Sequence, residues 1–304
     1  MNNILLIGGN GFIGSHILDE LLNNNKKVKI FDKTFEKYRS PFKEVEYVLA
    51  DFSDTLALTE SLTDIDCVIH SLSTSIPSSS NKFPIQDING NLIATINLLD
   101  TMISKGVKRI VFLSSGGTVY GIPKYSPVKE THETEPICSY GIVKLAIEKY
   151  LFMYSKLNNL EPIILRISNP FGPRQSHIGT QGFISTLISN YLKNNITTIY
   201  GNGAIVRDYI FISDVAKACY IAANSSLTGV FNVGSNVGYS LANVINIFEE
   251  IIGEKVQVKY IDKRLFDIPE IVLDTEKFTN AFNWKTSVPI KSGIQMHFDW
   301  LKTF

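Results

Sequence analysis

The chain has 304 residues, an apolar fraction of 44% and 29 basic against 29 acidic side chains. That length and apolar content can fill the core of one large or two modest domains. The charge balance removes the global field that would draw in nucleic acid or an anionic membrane, so neither is expected as a partner. No apolar run reaches the length of a membrane span, and the first core strand begins almost at once, which leaves no room for a leader and points to a cytoplasmic protein. Cys67, Cys138 and Cys219 read as buried free thiols, and the His residues form no HxxH or HExxH pair, so no metal site is expected.

Residues 4–7, ILLI, form a short buried strand that runs into GGNGFIGSH and then ILDELL, an amphipathic helix starting near Gly11. Gly8 permits a tight turn, Gly11 lets backbone approach a pyrophosphate, and Gly14 lets helix and strand pack closely. The unpaired N–H groups and dipole of the helix start favour that anion. Gly8, Gly11, Phe12, Ile13 and Gly14 are thus candidate dinucleotide contacts. A second strand, KKVKIFD, ends at Asp32, where a carboxylate takes both ribose hydroxyls of an adenosine, with Lys33 beside it. EVEYVLADF reads as a third strand ending in Asp51 and Phe52, a carboxylate and a flat ring that suit an adenine edge and face. Asp51 or Ser53 equally suits the cap of the helix LALTESL that follows.

DIDCVIHSLS is a fourth strand that turns small and polar, and Leu72 and Ser73 at its end are further cofactor candidates. The stretch SLSTSIPSSSN reads as a flexible loop over the crevice. Residues 87–105 show helical spacing closed by Gly106, and KRIVFLSS is a buried strand ending in Ser114 and Ser115. SYGIVKLAIEKYLFMYSK is a long amphipathic helix, and EPIILRISNPFG one more strand with a Pro/Gly-rich exit. Strands alternating with helices imply an α/β protein whose parallel sheet is covered on both faces, with ligand at the strands' carboxyl ends. From about residue 171 the chain changes to short strands (TTIYG, VFNVG, VQVKYI) and short helices (FISTLISNYLK, DVAKACYIAAN, LANVINIFEEIIG), a smaller portion interleaved with the first.

Tyr140 and Lys144 stand four apart on one helix and share a face. Beside an ammonium, and beside the positive ring of an oxidised nicotinamide, a phenolate is favoured and its pKa is expected to fall. Tyr140 could then take a proton from a sugar hydroxyl while hydride leaves for the nicotinamide.

With the glycine turn, the Ser-Ser strand end and YxxxK in this order, the chain resembles an extended short-chain dehydrogenase/reductase of the sugar-nucleotide epimerase/dehydratase family, in the manner of the UDP-glucose 4-epimerases. GGNGFIGSH, LSSGGTVYG, SYGIVK, NPFGPRQ, GNGAIVRDYIFISDVA and FNVGS are each similar to family blocks. The resemblance implies a Rossmann-type doubly wound parallel sheet over residues 1–170, binding NAD, and a mainly substrate-binding portion over 171–304. It also implies a nucleoside-diphosphate sugar substrate, a role in cell-surface polysaccharide precursor synthesis, and a homodimer built on the helices at 87–105 and 139–156.

By the family pattern Asn91 lies near the nicotinamide ribose and Ser114 on the cofactor. Asn169 lies near the substrate diphosphate, Tyr200 lines the substrate site, and Arg207 and Arg264 sit on the phosphates. An anionic diphosphate in a neutral protein needs such localised guanidinium groups, although an arginine alone is as often a surface ion pair. Where related epimerases place Ser or Thr four residues before the Tyr of VYG, this chain has Gly116, so the sugar-binding hydroxyl comes from Ser115 or Thr118, with Thr118 preferred.

Related 4,6-dehydratases carry an Asp-Glu pair where this chain has Gly117 and Thr118, so elimination chemistry is not expected. Hydride traffic at one carbon remains, as a C4 epimerase first and a 4-ketoreductase second. Asp32 would repel a 2′-phosphate, favouring NAD over NADP, with Lys33 acting the other way. Ile271, where a bulky residue guards the sugar pocket of UDP-hexose epimerases, is expected to leave space for an N-acetyl group. An idle NAD-sensing regulator on the same fold would tend to lose the Tyr/Lys pair that this chain keeps.

Overall fold

The computed structural model describes residues 1–175, 182–262 and 268–303. Arg264, expected on a phosphate, lies outside the described residues. The first half alternates strand and helix: β1 (Asn3–Ile7), α1 (Phe12–Asn23), β2 (Lys27–Asp32), β3 (Glu46–Leu49), α2 (Thr55–Ser61) and β4 (Cys67–His70). Two single turns, α3 (Pro77–Ser80) and α4 (Pro84–Asp87), lead through a π-helical stretch, Ile88–Ile93, into α5 (Ala94–Ser104). Then come β5 (Arg109–Ser115), α6 (Ser139–Asn158) and β6 (Glu161–Ile167). β1 is apolar and buried along nearly all of its length because both of its faces are covered. Its side chains alternate: Ile4 and Leu6 pack with α1, while Leu5 and Ile7 pack with α5 and α6.

The strand expected over EPIILRISNPFG is two strands. The chain bends at Ser168, and β7 (Asn169–Phe171) leaves the central sheet. The remaining elements are α7 (Phe183–Leu192), β8 (Thr197–Tyr200), β9 (Val206–Phe211), α8 (Ile212–Ala223), β10 (Gly229–Val233), β11 (Gly238–Ser240) and α9 (Leu241–Ile252). After them come β12 (Val258–Ile261), β13 (Glu270–Ile271), α10 (Glu276–Phe282) and α11 (Ile290–Leu301). β9 is the centre of a second sheet, pairing with β7, β11 and β13, and β8 pairs with β12.

The central sheet runs β10-β6-β5-β4-β1-β2-β3, seven parallel strands among the described residues. β10 lies beyond residue 171, in the stretch read as part of the smaller portion, yet it pairs with β6 because its apolar run needs a covered edge. α8 likewise packs on α1 and joins the core behind β1. The order reverses between β1 and β4, the switch point beside which an open α/β sheet binds ligand.

Local signals explain most element boundaries. α1 buries Gly14, Ser15, Ile17, Leu18 and Leu21, a stripe at helical spacing. Gly106, at φ +72°, ends α5 as expected, with the Val107 N–H bonded back to the Met102 carbonyl. α9 starts with a capping box of Ser240 and Asn243. The cap of α2 is neither Asp51 nor Ser53 but Asp54, whose carboxylate accepts the N–H groups of Leu56 and Ala57. No helix among the described residues is long and apolar enough to cross a membrane.

Candidate active site

The carboxyl ends of the central strands open into a cleft of about 1020 Å³ that extends under the second sheet. At one end lies the glycine turn. Gly8 takes φ +81°, in the left-handed region that favours glycine. A side chain at Gly14 would place its Cβ 2.0 Å from the Gly8 carbonyl oxygen, so the helix can approach the strand only because that position carries none. Gly11, Phe12 and Ile13 line the cleft beside them.

Asp32 ends β2 with its carboxylate buried, accepting the N–H groups of Asn10 (3.1 Å) and Thr34 (3.0 Å) and the Thr34 hydroxyl. Lys33, Leu72 and Ser73 line the same end. Asp51 faces the cleft and accepts both the N–H and the hydroxyl of Ser53, which hold its carboxyl below the usual range. Phe52, expected to offer its ring to an adenine, is only 4% exposed. Its ring stands edge-on to Phe31 and His70, so it serves the core more than the cleft.

Tyr140 and Lys144 lie on the first turns of α6, facing β5. The Lys144 ammonium donates to the Leu113 carbonyl at 2.9 Å and sits 4.7 Å from the centre of the Phe112 ring and 5.8 Å from that of Tyr140. Burial lowers its pKa to about 8, against the opposing pull of Asp87 and Glu148. The protein groups alone do not produce the fall expected for Tyr140 beside both an ammonium and an oxidised nicotinamide. Burial pushes the phenol up, Cys138 and Asp87 add to that, and the hydrogen bond with Ser115 is what pulls it down. Desolvation of the phenolate is the largest influence on it.

Of the two candidate hydroxyls, Ser115 is the one that acts on the Tyr140 phenol, whereas Thr118 Oγ1 is buried in the cleft wall without a partner among the described residues. Gly116 has no room for the side chain found in relatives, since a Cβ there would lie 2.4 Å from Leu273 Cδ1. Ser114 borders the cleft but donates its hydroxyl to Glu148 Oε1 at 2.5 Å. Asn91 turns away from the open cleft. Its amide accepts the Thr74 N–H at 2.8 Å and donates to Asp87, fastening the loop after β4.

On the second-sheet side, Asn169, Tyr200 and Arg207 line the cleft. Asn169 donates to the Asp208 carbonyl at 2.9 Å, and Arg207 Nη1 donates to the Val206 carbonyl at 2.8 Å. Ile271 does not guard the pocket. It is buried in a satellite core with Val119, Tyr120 and Leu273, and Ile268 borders the cleft instead. Ser168 and Gln175, which the motifs did not single out, also line the cleft, each with a buried oxygen that has no partner among the described residues.

Contacts that no motif marks hold Tyr140 in place. The Tyr140 N–H donates to Ser80 Oγ (3.1 Å), the Ser139 N–H to Asn81 Oδ1 (2.8 Å) and the Ser139 hydroxyl to Asp87 Oδ2 (2.7 Å). The Ser-rich loop is therefore fastened to the start of α6. Below it, Glu148 forms a two-point ion pair with Arg166, with Nη2 to Oε2 at 2.6 Å and Nε to Oε1 at 3.1 Å. Among the described residues no three His, Cys, Asp or Glu side chains gather as a metal site.

A model of the NAD dependent epimerase/dehydratase family matches residues 4–234. A putative UDP-glucose 4-epimerase of Methanocaldococcus jannaschii is 36% identical over 302 residues, spanning 98% of both chains. The crystal structure of the UDP-glucose 4-epimerase of Thermotoga maritima with UDP-glucose superposes with a TM-score of 0.94 at 30% identity, covering 99% of each chain. The UDP-glucose 4-epimerase of Thermus thermophilus, in complex with NAD, gives 0.92 at 31% identity, again over 99% of each chain.

Proposed function

Because the chain belongs to the NAD dependent epimerase/dehydratase family and takes NAD as its cofactor, we propose that it inverts C4 of a UDP-hexose or UDP-N-acetylhexosamine through a 4-keto sugar. The observation that carries this reading is the grouping of Tyr140, Ser115 and Lys144 at one wall of the cleft, with Gly117 and Thr118 standing where elimination would need carboxylates.

The residues present fit the dinucleotide. The turn at Gly8 and the bare face of Gly14 bring backbone N–H groups to the cleft for a pyrophosphate, and Asp32 and Asp51 await the adenosine end. When bound, NAD supplies a hydride acceptor that is positively charged in its oxidised form. The charge of the oxidised ring would favour the Tyr140 phenolate against its burial, and as phenolate Tyr140 takes the proton of the C4 hydroxyl and returns it, with Ser115 beside the tyrosine oxygen and Thr118 offering its hydroxyl to the sugar. Asn169 and Arg207 hold the diphosphate, supported by their places along the second-sheet wall. We place a second copy of the chain against the helices at 87–105 and 139–156, where Ile93 at the entry to α5 and Ile142, Met153 and Leu157 of α6 are exposed.

The test is incubation of the purified protein with catalytic NAD and either UDP-glucose or UDP-N-acetylglucosamine, following C4 configuration by proton NMR. Formation of the galacto epimer without net NADH is the expected result. Conversion that begins only when a 4-keto sugar nucleotide and stoichiometric NAD(P)H are supplied would replace the epimerase with a ketoreductase. Tyr140→Phe should retain NAD binding and lose about 10²–10⁴-fold in turnover, the usual contribution of a positioned acid-base group.

A further inference from the structure

Asp87 is a buried carboxylate that no motif singled out, only 1% exposed at the end of α4. Its Oδ1 accepts the Ser75 hydroxyl at 2.6 Å and the Asn91 amide at 2.9 Å, and its Oδ2 accepts the Ser139 hydroxyl at 2.7 Å. These three donors come from the loop after β4, the π-helical turn and the residue next to Tyr140. Among the described residues no Lys, Arg or His stands within ion-pair distance of it. A buried carboxylate satisfied by neutral donors keeps its charge available to act on neighbours through a poorly screening interior.

We propose that Asp87 is a positioning residue of the reaction: it ties the cofactor-side loop to the first turn of α6 and sets the charge balance of the Tyr140–Lys144 pair. The proposal rests on the reading of Tyr140 as the acid-base group. The other titratable groups around the pair each bear on one member of it. Cys138, at the cap of α6, also disfavours the Tyr140 phenolate, and Glu148, paired with Arg166 of β6, also supports the charge of Lys144. From β4 comes His70, which burial lowers to about 3, so it is neutral at working pH. Asp87 is the foremost charge opposing the desolvation of Lys144, and it also disfavours the Tyr140 phenolate. Removing its charge therefore lowers both groups together. The pH–rate limb set by the tyrosine must therefore slide toward acid, whereas damaged packing would lower the rate without moving that limb.

The experiment titrates the NAD complex of the enzyme by ultraviolet phenolate absorbance, subtracting Tyr140→Phe to isolate Tyr140, and needs no sugar substrate. Asp87→Asn is expected to move the Tyr140 midpoint toward acid by about 0.5–1 pH unit, a typical effect of one nearby charge. The pH–rate profile with UDP-glucose should move by the same amount. Ser139→Ala, which removes a hydrogen bond and keeps the charge, should leave the midpoint in place, and Asp87→Glu should restore it. Asp87→Ser is the second neutral variant should the asparagine fail to fold. A midpoint unmoved in the neutral variant, or moved equally by Ser139→Ala, overturns the role of Asp87. A Tyr140 that never titrates overturns the acid-base reading itself, and absence of C4 turnover with a shifted midpoint overturns only the substrate assignment.

Discussion

Lys144 is held in the interior by one carbonyl and one aromatic face, and the guanidinium of Arg207 borders the opposite wall of the same cleft. In the proposed reaction the two cations have different work, Lys144 beside the proton carrier and Arg207 toward the diphosphate. A hydrogen bond between an ionised side chain and its partner contributes about 1.5–3 kcal/mol. Arg207→Ala is therefore expected to raise the KM for the UDP-sugar about 10- to 100-fold while kcat changes little, as measured by steady-state kinetics. An unchanged KM would show that Arg207 does not touch the substrate. Thr118, Ser168 and Gln175 each leave a buried oxygen without a protein partner along this cleft. A ligand that met them would recover the cost of their desolvation.

At the scale of elements, α6 works as a ladder in which Tyr140, Lys144 and Glu148 stand four apart on one face. The lowest rung fixes the helix to the sheet through Arg166, and the Tyr120 ring covers the guanidinium at 4.7 Å. Glu148→Ala would leave Arg166 buried and uncompensated. A loss of about 3–5 kcal/mol is expected, read as a lower denaturant midpoint, and a loss under about 1 kcal/mol would show that the pair contributes little. Part of this ladder was legible: YxxxK stood out, whereas the pairing of Glu148 with Arg166 did not, since no spacing in the sequence joins α6 to the apolar run IILRI. Asp87 was not legible, because its partners Ser75 and Ser139 lie 12 and 52 residues away and meet it only once the chain is folded. The cap of α2 falls one residue past Ser53 and three past Asp51, because Asp51, Ser53 and Asp54 all suit a cap, and backbone geometry alone chooses among them. Burial also decided the tyrosine. The sequence shows which charges are near Tyr140, but not how much water the fold removes.

For the molecule as a whole, three histidines are held uncharged in the interior. Burial lowers His70 to about 3 and His16 and His297 to about 4, from an ordinary value of 6.5. An unfolded chain takes up these protons near pH 6.5 and the folded one does not. The stability they permit is therefore whole above pH 6.5 and is lost progressively as pH falls toward 4. The thermal midpoint should drop by several degrees between pH 7 and pH 5. Replacing His297, whose two ring nitrogens have no partners, with Phe should flatten that drop. A midpoint constant over this interval would contradict the assignment.

The sheet order was foreseeable up to β6, where strand and helix alternate in sequence. The return of the chain to add β10 was not, since VFNVG is too short to declare which sheet it joins. That return bears on how the molecule can be taken apart. A piece cut after residue 170 would carry every motif for the dinucleotide and still lack β10 and α8, leaving β6 as a bare edge and the outer face of α1 uncovered. The cofactor half is therefore not a portable module: grafted or expressed alone it would seek another chain to close its edge, and only co-expression with the remainder would return it to solution.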